Sequence, residues 1–536
     1  MFGYYANLRV NCNKGRDKHM ASGKVKRTSA KKSKANLVLG LVIALIVICI
    51  AGFFVYASGL LQRTLTGIKV IETAADGTST TVKNYSVQEA NYHFNEMFSM
   101  YSMYGMIDRE RLDEKVSDQS EETWRETLYK AAADEMMETA LVLRAYENDT
   151  NKPELGAARY AEMQLEVMKD QAKKYNYDSL NQYMQAMYGT GFNAFDFKKI
   201  TQNEITAREY ENYKKQFVCV PSDAEIQTAF DNDPNAYQKA DFNYYFFAAK
   251  MDDQGNMTNL DQTKTDAKEV MDAVNGGKSF KEAVKTVLEK DKTANETALA
   301  SFTDDNVDPT FITGYSKDTA EYVYSKAEGV INAIFGADSV KGKAVTVEAE
   351  NGTYVVCPVA MNLDETATVT YRTLTIDNPD YTGVDTPADV LASGLAKARA
   401  QAEQIIATPM DPAAFAAAVR KNTTDTNEIV SAGYVSGDTP SKYEASDDPE
   451  AEQSASDKAL GEWLFAADRK AGDTMILNSD DSTKVTIYYF ESSMPAWRAS
   501  VRNNIADTLL ESWKSELKAG NPSTVINVGL NKFLLY

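Results

Sequence analysis

The sequence predicts an α+β chain: one N-terminal transmembrane helix, an all-helical block, two strand–helix–helix–strand units in tandem, and a closing helix. Three observations carry that expectation. The stretch ANLVLGLVIALIVICIAGFFVYASGLLQ, residues 35–62, contains no charged residue. Between 86 and 216, apolar residues recur at helical spacings of three and four. From residue 241 the period changes, and the same order of elements returns roughly 130 to 143 residues later, the pattern of a diverged duplication.

At 536 residues the chain is long enough for about three to four domains. The formal net charge is −20, unevenly spread. Residues 1–34 hold ten Lys/Arg against one Asp, about +9, so the remainder carries about −29. An acidic body repels phosphate, which argues against nucleic-acid binding. The basic tail (1–34), with Lys24, Lys26, Arg27, Lys31, Lys32 and Lys34 just before the apolar run, is expected to stay in the cytoplasm and the body to lie outside. About 20 apolar residues cross the hydrocarbon core as a helix. The run is much longer than the apolar region of a cleaved signal, although VYA before Ser58 has the form of a cleavage site. Val47 and Ile48 before Cys49 are not the small residues of a lipid-attachment site. Of four cysteines only Cys219 and Cys357 fall in the expected outer part, so neither a disulfide framework nor a metal spacing is present there.

Residues 63–85 read as a polar stalk with strand character. Ser86 and Glu89 have capping-box spacing and open a helix, with further helices at 120–147, 153–174, 178–188 and 193–216. The segment VPSDAEIQTAFDNDPNAY (220–237) opens a short helix with Ser222 and Glu225 and ends it at Asp233-Pro234. Residues 86–237 thus form one block. The unit at 238–365 reads as strand 241–250, a helix pair broken near Gly276-Gly277, helix 320–329 and strand 352–361. The unit at 366–494 repeats this with strand 369–376, a broken helix pair, helix 458–473 and strand 483–492. Residues 497–518, within the closing segment 495–536, form an amphipathic helix with a short tail.

This order resembles the SurA/PrsA type of extracytoplasmic foldase over about residues 84–520. Residues 220–237 resemble the segment that leads into that family's parvulin-type prolyl-isomerase domain. SFKEAV (279–284) and AAFAAAV (413–419) resemble a parvulin helix, AEYVYSKAEGV and LGEWLFAADRKAGD its late helix and turn, and GTYVVCPV its closing strand. The resemblance implies two parvulin-like units and a C-terminal helix that completes the helical domain. It also implies histidines on the first and last strands of each unit, and this sequence lacks them. Tyr244 or Tyr245 stands at the first position, Tyr354 at the last; in the second unit Thr373 stands at the first, and Thr486 or Ile487 at the last. The chain's two histidines, His19 and His93, lie upstream of both units. Lowering the barrier of about 18–20 kcal/mol for amide rotation needs a polar constellation around the twisted bond, which these substitutions remove.

No phosphate loop, nucleophile elbow or dinucleotide fingerprint appears, and no cofactor or metal is expected. The acidic stretch 444–457 lacks the ligand alternation of a calcium loop and reads as a solvated loop. His93 reads as a helix-surface or satisfied core residue. The stretch NYHFNEMFSMYSMYGM (91–106) is the most unusual. Phe94, Met97, Phe98, Tyr101 and Tyr104 form one helical stripe, while Met100 and Met103 fall outside it. Methionine adapts to varied apolar shapes. Residues 183–195 repeat the chemistry with Tyr183, Met184, Met187, Tyr188 and Phe192. Met97, Met100, Tyr101, Met103 and Tyr104, with those five, are therefore expected to build a cradle for unfolded polypeptides emerging from the secretion machinery. The alternatives are a divergent prolyl isomerase and a surface scaffold for one partner.

Overall fold

The computed structural model describes residues 34–252, 254–304, 306–444 and 454–534, with side chains from residue 42. The lysine-rich tail, Cys12, His19 and most of the acidic stretch lie outside the described residues. Among the described residues the architecture is mixed α/β, with about nineteen helices and four small antiparallel sheets.

The chain divides into two compact units, residues 1–60 and 61–536. In the first, the expected continuous span over 35–62 is corrected. The helix is Lys34–Ala57, and a turn at Ser58 and Gly59, the latter at φ +73°, ends it. Among the described residues no helix is long and apolar enough to cross a membrane, so the transmembrane helix and the single-pass anchor are not retained.

The second unit opens with strands β1 (Thr66–Thr73) and β2 (Ser79–Ser86). Ser86 then caps the Val87–Met103 helix in a complete capping box with Glu89. The helices Trp124–Asn148, Ala157–Lys174, Leu180–Tyr188 and Ala194–Tyr213 follow, the last running into a π-helical turn at Lys214–Val218. The short Asp223–Asn232 helix has its own Ser222/Glu225 capping box.

The first sheet unit starts at β3 (Gln238–Ala248), carries a small hairpin of β4 (Lys250–Met251) and β5 (Met257–Thr258), and continues through β6 (Phe311–Ser316), β7 (Val345–Ala349) and β8 (Gly352–Leu363). The second contains β9 (Ala367–Asp377), β10 (Tyr434–Asp438), β11 (Thr474–Asn478) and β12 (Lys484–Pro495). Their strand orders, β6-β3-β8-β7 and β10-β9-β12-β11, are equivalent. Each sheet buries both faces. In the first, Val355 and Cys357 meet Ala267, Val270 and Val284 of one helix pair, while Phe242 and Val356 meet Ala320, Val330 and Ile334 of another. In the second, Leu374 and Ile487 pack on Ala398, Phe415 and Val419, and Val369 and Phe490 on Leu460 and Leu464.

The block from Val87 to Tyr237 is helical as expected, but the stalk before it and the tail after 518 add a sheet to it. The Ala496–Leu517 helix leads into β13 (Pro522–Ile526), which pairs antiparallel with β1 to make the sheet β13-β1-β2. Ile68, Val70 and Tyr85 of that sheet pack on Ala90, Ala133, Met136 and Ala140 of two helices. The physical reason is the alternation hidden in TGIKVIET: Ile68 and Val70 share one face, which needs a helical cover as well as a strand neighbour. The short tail expected after 518 supplies that neighbour. The Ala496–Leu517 helix itself packs Trp513 against Tyr210, with ring centroids 5.9 Å apart, and pairs Lys514 with Glu211 at 3.3 Å.

Candidate polypeptide-binding surfaces

The ten residues expected to form a cradle divide sharply. On the Val87–Met103 helix, Phe94 and Phe98 face inward against Ile107, Leu112, Leu128 and Tyr129, with Phe94 stacked on Tyr129 at 4.4 Å. Met97 and Tyr101 flank that core, Tyr101 edge-on to Trp124 at 6.2 Å. Met100 (44 % exposed), Met103 (76 %), Tyr104 (69 %) and Met106 (52 %) face solvent. Gly105, at φ +68°, turns the chain at the helix end, so these exposed apolar groups lie at one helix tip.

The second stretch behaves differently. Tyr183, Met184, Tyr188 and Phe192 are buried. Tyr92 stacks nearly parallel on Phe192 at 5.8 Å and meets Tyr188 at 4.8 Å, with Phe197 and Ile200 completing the cluster. These side chains fasten three helices together and are withdrawn from the cradle. Only Met187 of this group is exposed.

The positions that replace the family's histidines also resolve by face. Phe246 pairs with Tyr354 across β3 and β8, so Tyr244, Phe246 and Tyr354 share one side. Tyr245 points to the other, against Phe247 and Phe302. Tyr245 and Tyr354 are therefore not brought together; Tyr244 is the partner on Tyr354's face. The alternation runs unbroken along β3 from Phe242 through Tyr244 to Phe246, because the register shift near Asp241 and Phe242 skips Val359 on β8, beyond Tyr354. Around Tyr354 lie Phe246 at 4.3 Å and Tyr324 at 6.0 Å, and Tyr324 meets Tyr244 at 5.9 Å. Burial raises the phenols of Tyr324 and Tyr354, so both stay neutral hydrogen-bonding groups.

In the second sheet unit Thr373 is half-buried opposite Tyr488. The positions equivalent to Phe246 and Tyr354 hold Thr375 and Thr486, whose hydroxyls are 3.3 Å apart. Buried Glu428 receives the Thr375 N–H at 2.7 Å and its hydroxyl at 2.8 Å, and also accepts from the Thr423 hydroxyl. On the same face, Asp438 accepts from Tyr371 (2.8 Å), Tyr443 (2.7 Å) and Lys442 (2.8 Å). Burial works against the charge of Asp438, but these donors outweigh it and hold the carboxyl below its usual range. Sequence reasoning missed this cluster, since Asp438 and Tyr443 meet Tyr371 only through the fold.

His93 and Glu204 meet in the interior of the helical block. His93 is buried with Nδ1 3.4 Å from Glu204 Oε1, and burial pushes the imidazole down to about 4. Burial, with Glu135 and Glu96 nearby, raises Glu204 to about 8. Two neutral groups sharing one contact fit both directions. Burial raises the Cys357 thiol, which disfavours the reactive thiolate. Among the described residues no cluster of three His, Cys, Asp or Glu could hold a metal ion. No protein-family model matches the chain, and no curated protein matches it.

Proposed function

We propose that this protein is a polypeptide-binding chaperone of the foldase type, holding unfolded or newly made chains without covalent chemistry. The observation that carries the reading is the tip formed by Met100, Met103, Tyr104 and Met106, apolar groups left in solvent at the end of a helix whose other face is firmly packed. Exposed thioethers adapt to many apolar shapes, so such a surface binds weakly and without strong selection. The resemblance in element order to SurA/PrsA-type foldases supports the same reading, and the lost histidines speak for holding over catalysis. The test replaces Met100 and Met103 by Ser. Suppression of heat-induced aggregation of a neutral client should fall severalfold, while the circular dichroism spectrum and unfolding midpoint stay unchanged. Undiminished suppression by a folded variant would remove the tip from the binding surface.

An isomerase reading is favoured by one feature, the half-buried Tyr244/Phe246/Tyr354 face, which offers aromatic rings to a proline. Acceleration of a proline-containing tetrapeptide, lost in Tyr354→Ala, is the result that reading requires.

A further inference from the structure

A cleft of about 650 Å³ lies where Glu154–Arg159 meets the end of the Ala388–Ile405 helix and the Pro412–Asn422 helix. Its charged lining is Arg159, Arg420 and Lys421 against a single carboxylate, Glu154. That balance is opposite to the chain as a whole, which carries −20. The cations are poorly satisfied. Arg159 donates only to the Arg420 carbonyl, at 3.4 Å, and no ion pair occupies it among the described residues. Arg420 is 5 % exposed; its Nε lies 3.0 Å from Glu209 Oε2, and its Nη2 has no hydrogen-bond partner. A buried guanidinium nitrogen without a partner is destabilising. Beside it the Ala157–Lys174 helix begins at Gly156 with no side-chain cap, so its positive end is unneutralised apart from the Gly156 N–H bond to Glu209 at 2.8 Å.

The rest of the lining is amide and apolar. Gln401 and Gln404 stand on one wall, Leu155, Ile405 and Met410 on the others. A bare inorganic anion would use the cations and leave these groups idle. An extended peptide uses both: its carboxylates meet the guanidinium and ammonium groups, and its backbone bonds the side-chain amides.

We propose that this cleft binds an extended acidic segment of a polypeptide, with its carboxylates on Arg159 and Lys421 and its backbone on Gln401 and Gln404. The proposal rests on the chaperone reading and gives it a second contact, charged where the methionine tip is apolar. Electrostatic complementarity of this kind chooses among clients and speeds their capture.

The test uses the full chain and fluorescence anisotropy with a labelled glutamate–alanine peptide and its glutamine–alanine counterpart. The acidic peptide should bind about tenfold or more tightly than the neutral one, and less so at high salt. Arg159→Gln and Lys421→Glu, at residues that are not fully buried, should each reduce acidic-peptide binding severalfold and leave aggregation suppression of a neutral client unchanged. Equal affinity for the two peptides, or indifference to both variants, overturns the proposal. Displacement of the acidic peptide by inorganic phosphate at matching charge concentration also overturns it, in favour of a small-anion site. Undiminished neutral-client suppression in Met100→Ser/Met103→Ser counts against the methionine tip alone, so the two fail separately.

Discussion

The two sheet units share a strand order and differ in almost everything that order does not dictate. The first places aromatic rings, Tyr244, Phe246, Tyr324 and Tyr354, where the second places Thr373, Thr375, Thr486 and the carboxylate of Glu428. The second is also bound into the helical block. Arg372, only 1 % exposed, bonds Glu491 at 2.5 Å and reaches Gln216 of the π-helical turn at 3.0 Å, with its guanidinium 4.9 Å from the Phe217 ring centroid. Asn212 donates to the Val430 carbonyl, Gln216 to that of Ser431, and Arg420 pairs with Glu209. The first unit has no comparable buried ion pair with that block among the described residues. Its ties include the Asn235 bond to the Phe335 carbonyl and the half-buried Lys239–Asp364 pair with the adjoining linker. Two units of one strand order thus differ in their ties: the second is bound into the helical block, and the first keeps a half-buried aromatic face.

The largest test of that division removes each unit in turn. Gln238 pairs with Leu363, and Ala367 with Pro495, so the ends of each unit lie side by side and either can be excised and the chain rejoined across a short linker. Excision of 238–363 should leave the rest folding cooperatively with a midpoint close to the intact chain. Excision of 367–495 exposes the π-helical turn and strips Glu209, Gln216 and Asn212 of their partners. Breaking one side of a buried ion pair alone costs about 3–5 kcal/mol. Urea unfolding followed by tryptophan fluorescence separates the two outcomes, and equal losses would erase the contrast.

Part of this was legible in the sequence and part was not. The capping boxes at Ser86/Glu89 and Ser222/Glu225 were readable because a cap is a local event, settled within four residues. The strand at 241–250 and its repeat at 369–376 were readable because the change of period is local too. The sheet β13-β1-β2 was not, since the neighbour of β1 stands some 450 residues away and its own pattern is brief. The choice between Tyr244 and Tyr245 turned on which face of β3 meets Tyr354, which the pairing of Phe246 with Tyr354 settles and an all-aromatic run leaves open. The buried pairs of Arg372 and Arg420 could not be foreseen: an arginine in a sequence is presumed solvated until its partner is known. In the candidate cradle, composition marked both methionine-rich stretches alike, and only packing distinguished an exposed tip from a sealed aromatic cluster.

A smaller effect sharpens the comparison through pH. Burial raises Glu209 to about 7, against the opposing pull of the Gly156 N–H and of Arg420. The folded carboxyl therefore holds its proton above the unfolded value of 4.5. Its contribution to stability is fully present below 4.5 and is lost as pH rises through about 7. Glu209→Gln should abolish that slope, a relative gain on the order of 2 kcal/mol at pH 8 compared with pH 5. Since Glu209 meets Arg420 of the second unit, the slope should persist after excision of 238–363. A slope that disappears with the first unit would mean that the junction has been assigned to the wrong copy.

The smallest expected effect converts one copy toward the other. Phe246→Thr with Tyr354→Thr installs in the first unit the pair that Thr375 and Thr486 form in the second. The threonine pair in the second unit is sustained by Glu428, which takes the Thr375 N–H and hydroxyl together. Among the described residues no carboxylate bonds Tyr354 or meets Phe246, so the new hydroxyls would have only each other and water. The aromatic contact at 4.3 Å is worth about 0.5–1.5 kcal/mol beyond burial, and both rings are half-exposed. The double variant should therefore lose about 1–2 kcal/mol and remain folded. Thr375→Phe in the second unit should cost more, because a ring there displaces a hydrogen bond from a carboxylate that is itself buried. If the two exchanges cost the same, the faces are interchangeable packing surfaces, and the aromatic side of the first unit has no claim to a role of its own.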